Sequence, residues 1–213
     1  NDPKASAEEL EEGLLSDGAV VHKLVQVVNT PVFAGAAQKG KWGLREAIVR
    51  LGRKKIGSIA LQIKLINSLI KPSESRFDLR RFWVHSVGSA LLADKIYQDK
   101  LVDIDDWDEC SDYWIATLLH DIGKLLEDRF CHDDLARAVS LAHEDGQPLL
   151  AAEQKVLGTT HAEIGAYLAQ WWDLPPSVVE AARWHHAPGK ASKEFADLVA
   201  VVHLADWVVQ KHG

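Results

Sequence analysis

Leu118-Leu119-His120-Asp121-Ile122-Gly123-Lys124 closes an apolar helical run and sets an imidazole beside a carboxylate. A nitrogen donor next to an oxygen donor suits Zn, Mn, Fe or Ni better than Ca or Mg, which take oxygen ligands. Two ligands hold no ion firmly, so the pair matters only if the chain supplies others. His85, His161, His185, His186 and Asp206 lie in helix-forming surroundings. Each has a bland reading: the macrodipole favours histidine near a helix C-terminus, Gly123 reads as an ordinary helix stop, and Ala187-Pro188-Gly189 ends the helix behind His185-His186. Their order argues for more. From His85 onward the chain reads His, His-Asp, His, His-His, Asp, each on a separate predicted helix or at its end. Helices packed as a bundle converge such side chains on one interior point.

The remaining pattern is helical almost throughout. Ser6-Ala7-Glu8-Glu9 reads as a capping box opening a short helix, Val20 to Val28 has the apolar spacing of a second, and Arg53 to Ile70 continues it. Pro72-Ser73-Glu74-Ser75 marks a turn between an N-terminal lobe, residues 1–75, and a second lobe, residues 76–213. Leu79 to Gln98 forms the helix bearing His85, and Asp112 to Asp121 the one ending in His-Asp. Thr160 with Glu163 is a further capping box, which places His161 in the first turn of its helix. Pro175-Pro176 precedes a helix from Ser177 to His186. The last helix runs from about Ser192 to Gln210, with His203 and Asp206 on one face. Trp83, Trp114, Trp171, Trp172, Trp184 and Trp207 have apolar helical neighbours and read as core; Trp42 and Trp107 read as surface. His22, His132, His143 and His212 receive no role.

Longer stretches carry a family resemblance: Glu9-Leu10 through Asp17, Lys23-Leu24-Val25-Gln26-Val27-Val28-Asn29-Thr30-Pro31-Val32-Phe33, and Leu44-Arg45-Glu46-Ala47-Ile48-Val49-Arg50-Leu51-Gly52. Phe82-Trp83-Val84-His85, the His-Asp run, Gly158-Thr159-Thr160-His161-Ala162-Glu163-Ile164-Gly165-Ala166, Trp172-Asp173-Leu174-Pro175 and His185-His186 complete the set. The chain resembles the HD phosphohydrolase superfamily, and more closely its HDOD branch, the HD-related output domain of bacterial signalling proteins. That resemblance implies an all-α, HD-domain-like helical bundle with an N-terminal helical lobe, the HDOD fold, as one domain over residues 1–213. It also implies a metal site for one or two divalent transition-metal ions (Fe, Mn, Zn or Ni). His85, His120, Asp121 and Asp206 would form the primary set, and His161, His185 and His186 the second, with Asp121 as bridge and catalytic residue. Such a pair acidifies a bridging water and clamps a phosphate for attack. Lys124 is then either a catalytic neutraliser of a phosphate oxygen or a surface lysine offsetting a helix C-terminus. With Asp206 as the implied ligand on its helix, His203 is left as a supporting or core residue.

One departure bears on chemistry. HD-GYP enzymes carry Gly-Tyr-Pro soon after the double histidine, where this chain has Ala187-Pro188-Gly189-Lys190, so cyclic di-GMP cleavage is not implied. HDOD members are commonly regulatory and many lack ligands, whereas this chain keeps the whole set. The leading expectation is a signal-transduction output domain with an intact metal site, working through signalling proteins, a fused receiver or regulatory domain, or a bound nucleotide. The alternative is an active metal-dependent phosphohydrolase acting on a nucleotide or other phosphoester, and a third reading is a bundle merely stapled by metal.

Composition narrows the partners. At 213 residues and 47% hydrophobic content the chain supports a large core. Its longest apolar runs fall far short of the ~20 residues that span a bilayer, and no signal-peptide pattern opens it; a cytoplasmic location is expected. A net charge of −7 argues against a nucleic-acid partner, and the cluster Lys39, Lys41, Arg45, Arg50, Arg53, Lys54 and Lys55 reads as a solvated helix face. Cys110 and Cys131, without CxxC spacing, read as free thiols. With no methionine and a start at Asn1-Asp2-Pro3-Lys4, the sequence is expected to be a piece of a longer signalling protein.

Overall fold

Helices make up the regular elements of residues 7–15, 17–29, 42–69, 78–102 and 112–212, the ones described by the computed structural model, and no strand occurs among them. The chain divides into two compact units, residues 1–68 and 69–213. The sequence-expected turn at Pro72–Ser75, the capping box at Ser6, and Lys39, Lys41, Trp107 and Cys110 lie outside the described residues.

In the first unit α1 (Ala7–Leu15), α2 (Gly18–Val28) and α3 (Leu44–Leu51) pack on one another. Their apolar stripes bury Leu14, Leu24, Val28, Leu44 and Ile48. Trp42, expected at the surface, is half-buried because Asn29 clamps its backbone: the Trp42 N–H donates to Asn29 Oδ1 at 2.7 Å and its carbonyl accepts from Asn29 Nδ2 at 2.9 Å. Of the basic cluster read as a solvated face, Arg45 and Arg50 are exposed, whereas Arg53 and Lys55 are half-buried. Gly52, at φ 82°, ends α3 in a conformation that an L side chain rarely adopts, and α4 (Arg53–Leu69) follows at once.

The second unit contains α5 (Leu79–Asp99), α6 (Tyr113–Leu119), α7 (Gly123–Phe130), α8 (His132–Asp145), α9 (Leu149–Leu157), α10 (His161–Trp171), α11 (Pro176–Trp184) and α12 (Ala196–His212). Its centre is α6, which packs against α5, α11 and α12 and buries Trp114, Ala116, Leu118 and Leu119. α10 packs on both α7 and α11, and α8 on α9.

Three sequence expectations are corrected here. Gly123 is not a helix stop but the first residue of α7. A Cβ on it would overlap the carbonyl oxygen of His161, so glycine is there to let α7 touch α10. The last helix starts at Ala196 rather than near Ser192, because Ser192 is extended and its N–H donates to Glu180 Oε2 at 2.9 Å, tying the connection to α11. Of the tryptophans expected in the core only Trp114 is buried; Trp171 is 74% and Trp207 50% exposed. α10 turns small residues, Ala162, Gly165, Ala166 and Ala169, toward its neighbours for close packing, which leaves Tyr167 and Trp171 on its outer stripe. Among the described residues no helix is long and apolar enough to cross a membrane.

Candidate metal centre

The seven sequence-expected donors converge on one interior cluster from five elements. His85 comes from the middle of α5, His120 and Asp121 from the end of α6, His161 from the first turn of α10, His185 and His186 from just past α11, and Asp206 from α12. Local chemistry fixes these positions. Thr160 accepts a hydrogen bond from the Glu163 N–H while Glu163 accepts one from the Thr160 N–H, the expected capping box, so His161 sits in the first turn. The His203 ring faces the His185 carbonyl, Nδ1 to O 2.6 Å, and so ties α12 to the segment carrying the double histidine.

The donors form two quartets that share one residue: His85, His120, Asp121 and Asp206, and Asp121, His161, His185 and His186. Asp121 divides its oxygens between them. Its Oδ2 lies 3.5 Å from Nε2 of both His85 and His120, and its Oδ1 lies 3.4 Å from His161 Nε2 and 3.5 Å from His185 Nε2. Asp206 Oδ1 is 3.1 Å from His85 Nε2 and 3.5 Å from His120 Nε2. Across the second quartet His161 Nε2 stands 3.1 Å from His186 Nε2.

The residues fit metal ions. His120 Nδ1 meets the Thr117 carbonyl at 2.6 Å, His185 Nδ1 the Ala182 carbonyl at 2.9 Å, and His161 Nδ1 the Glu153 carboxylate at 2.8 Å. Carbonyls and carboxylates only accept, so these Nδ1 atoms carry the protons and the Nε2 lone pairs point inward, the arrangement that orients metal-ligating histidines. Buried Asp121 Oδ1 and His185 Nε2 make no hydrogen bond. Orphaned polar atoms in a closed interior call for a partner of another kind. The cluster is not sealed: His85, Lys124 and His186 side chains keep 20%, 19% and 25% exposure, while His120, Asp121, His161 and His185 are closed off.

Electrostatics separates the donors into charged and neutral sets. Burial opposes ionisation of Asp121, but Lys124 and His120 hold its carboxyl well below the usual range. Asp206 is likewise lowered against the effect of burial, by its contacts with His120 and His85. Burial would depress His120, yet Asp121 and Asp206 prevail and raise it; His161 is raised against burial and Lys124 by Asp121 and Glu153. His185 falls to about 4 and His186 lower still, first through burial and then through repulsion from neighbouring imidazoles. The centre therefore holds ionised carboxylates, two histidines that take up protons readily and two that refuse them. Lys124 Nζ donates to Asp121 Oδ2 at 2.5 Å, so it faces the centre instead of lying at the surface.

Two carboxylates went unread in the sequence. Glu153 on α9 is fully buried and receives both the Nδ1 and the backbone N–H of His161, the latter at 3.1 Å to Oε2. Its signal was present: with Leu149, Ala152 and Val156 it lies on the apolar stripe of α9, where a charge needs a partner. Glu127 on α7 is buried, accepts no hydrogen bond at either oxygen, and groups with Glu153 and His161. Burial first, and then the charge of Glu153, push its carboxyl up to about 8.

Comparison with known proteins agrees with this architecture. The family model for the HDOD domain matches residues 1–188. The chain belongs to the HDOD family. An HDOD domain protein of unknown function from Geobacter sulfurreducens superposes with a TM-score of 0.74 at 25% identity, over 98% of this HDOD chain and 67% of the other. A Marinobacter aquaeolei VT8 protein carrying a provisional signal-transduction label superposes with a TM-score of 0.72 at 19% identity, over all of this chain and 46% of that one. An uncharacterised protein of Treponema pallidum (strain Nichols) is 25% identical over 194 residues, which is 91% of this chain. The chain spans 36% of the length of that curated relative.

Proposed function

We propose that this HDOD domain is a signalling output module whose His/Asp cluster binds two divalent transition-metal ions and, through them, a phosphoester that it hydrolyses. One observation carries the reading: Asp121 is shared between two donor quartets, with an oxygen turned to each. His85, His120, Asp206 and Asp121 would hold one ion, and His161, His185, His186 and Asp121 the other. Bound there, such ions supply an acidified water and Lewis-acid clamping of a phosphate. The protein's own share is orientation and charge. Nδ1 hydrogen bonds fix the imidazoles, and Lys124, partly exposed beside Asp121, would supply the positive charge that neutralises a phosphate oxygen. Membership in a family of signalling output domains, and the greater length of the relatives, support a role inside a larger signalling protein.

The test is metal content by elemental mass spectrometry on protein purified without chelator, beside an Asp121→Ala variant, followed by a phosphoester and nucleotide turnover screen. About two ions per chain, lost in the variant, with turnover of a phosphoester, is the expected result. No metal in either protein after reconstitution overturns the reading. Metal without turnover removes hydrolysis and leaves a metal-dependent regulatory module.

A further inference from the structure

Beside the metal centre runs a pocket of about 360 Å³ that the chemistry above does not use. Lys124 belongs to both, lining the pocket while its Nζ reaches Asp121. One turn further along α7, about 6 Å by helical rise, comes Asp128. Its Oδ1 faces His132 Nδ1 at 2.7 Å, and the carboxylate must be the acceptor, so His132 has Nε2 as its remaining ring nitrogen for a ligand. Asp78, which caps α5 by accepting the Arg81 N–H at 2.9 Å, brings a second carboxylate to the same wall. The rest of the lining is apolar: Leu135, Ala136 and Val139 of α8 and Leu149 of α9.

The pocket therefore mixes charge with apolar surface. One cation, Lys124, is shared with the metal centre, two carboxylates and an imidazole line the pocket with it, and apolar side chains make up the rest. Small-molecule sites have this make-up, mostly apolar with a few placed polar groups, and this volume falls at the lower end of their range. Resting on the phosphoester reading above, we infer that this pocket receives the organic part of the phosphoester. It selects an ester with an apolar body and a hydrogen-bond-donating or cationic far end. Esters that are anionic at both ends are rejected, because a second anion would meet the exposed Asp78 carboxylate. His132, which received no role from the sequence, becomes a specificity residue.

The test is equilibrium binding by calorimetry to the Mn-loaded full chain, using phosphonates that cannot be hydrolysed: methylphosphonate, hexylphosphonate, 6-aminohexylphosphonate and hexane-1,6-bisphosphonate. Expected is tightest binding of the aminohexyl compound, at least about fivefold over the bisphosphonate, the size of one modest charge pair. Val139 is half exposed, so Val139→Trp fills the pocket at a position the fold tolerates. This variant is expected to abolish the advantage of the six-carbon ligands while methylphosphonate binds within about twofold of wild type. Methylphosphonate binding with no preference among the longer ligands, or a preference that survives Val139→Trp, overturns the pocket and leaves the metal centre standing. No methylphosphonate binding to the loaded wild-type chain overturns the phosphoester reading and this inference with it.

Discussion

Glu153 shows how much of this site is decided by single side chains behind the donors. Its two oxygens each stand 2.8 Å from His161 Nδ1 in a fully buried setting, which fixes the ring so that Nε2 faces Asp121 and His186. Carboxylate partners of this kind typically change metal affinity by ~10–100-fold. Glu153→Ala is expected to weaken metal binding on that scale by titration calorimetry, and Glu153→Gln, which keeps an acceptor, by less. Equal affinity in all three proteins would show that His161 needs no such support. Glu127 gives a second residue-level prediction. Its folded pKa of about 8 lies above the ordinary 4.5, so its contribution to the stability of the metal-free protein is complete below 4.5 and lost as pH rises through 8. Glu127→Gln removes that loss. The variant's melting temperature relative to wild type is expected to rise between pH 5 and pH 9 in chelator, and a constant difference would refute the burial argument. The convergence of the His and Asp side chains was legible in the sequence because they recur in order on successive helices; Glu127 was not, because nothing local marks α7 as a buried helix.

At the scale of elements, the site depends on how closely α7 approaches α10. Gly123 opens α7 against the His161 backbone, and Gly165 of α10 faces Gly123 in return, a Cβ there lying 3.2 Å from Gly123 N. That contact brings His161 beside Asp121. Gly123→Ala forces a methyl into a backbone carbonyl, which cannot move without shifting the first turn of α10; a cost on the order of 3 kcal/mol is expected. The measurable outcome is a melting temperature lowered by roughly 6–12 °C together with weakened metal binding, whereas Gly189→Ala, with open space around it, is expected to be silent. Local signals explain which elements could be read. The Thr160–Glu163 capping box marked its helix start correctly, and the helix expected over Ser177 to His186 runs instead from Pro176 to Trp184, with the double histidine just past its end. The role of Gly123 was misread because a glycine that permits close approach looks, in one dimension, the same as a glycine that ends a helix. The tryptophans failed for a related reason: apolar neighbours along the chain do not reveal which face of α10 must be narrow.

Within the second unit as a whole, the donors lie on or at the ends of α5, α6, α10, α11 and α12, so any ion bound to both quartets cross-links most of the bundle. An ion that binds only the folded state stabilises it by about 2.7 kcal/mol at a hundredfold excess over its dissociation constant. The sign of the pH dependence follows from the two raised imidazoles. His120 and His161 titrate above the ordinary 6.5, so the stability they give the metal-free fold is complete below 6.5 and lost as pH rises through their folded pKa values. A metal ligand must be deprotonated, so an ion has to displace those same protons at the lower pH. His185 and His186, already neutral, add no such cost. Metal-free stability is therefore expected to fall as pH climbs above 6.5 while metal affinity rises, each displaced proton contributing about 1.4 kcal/mol per pH unit. Thermal melts with and without Mn or Zn at pH 6.5, 7.5 and 8.5 measure this directly: the melting-temperature gain on adding metal is expected to grow across the series. A gain that shrinks toward pH 8.5 would mean that the ions do not bind through His120 and His161.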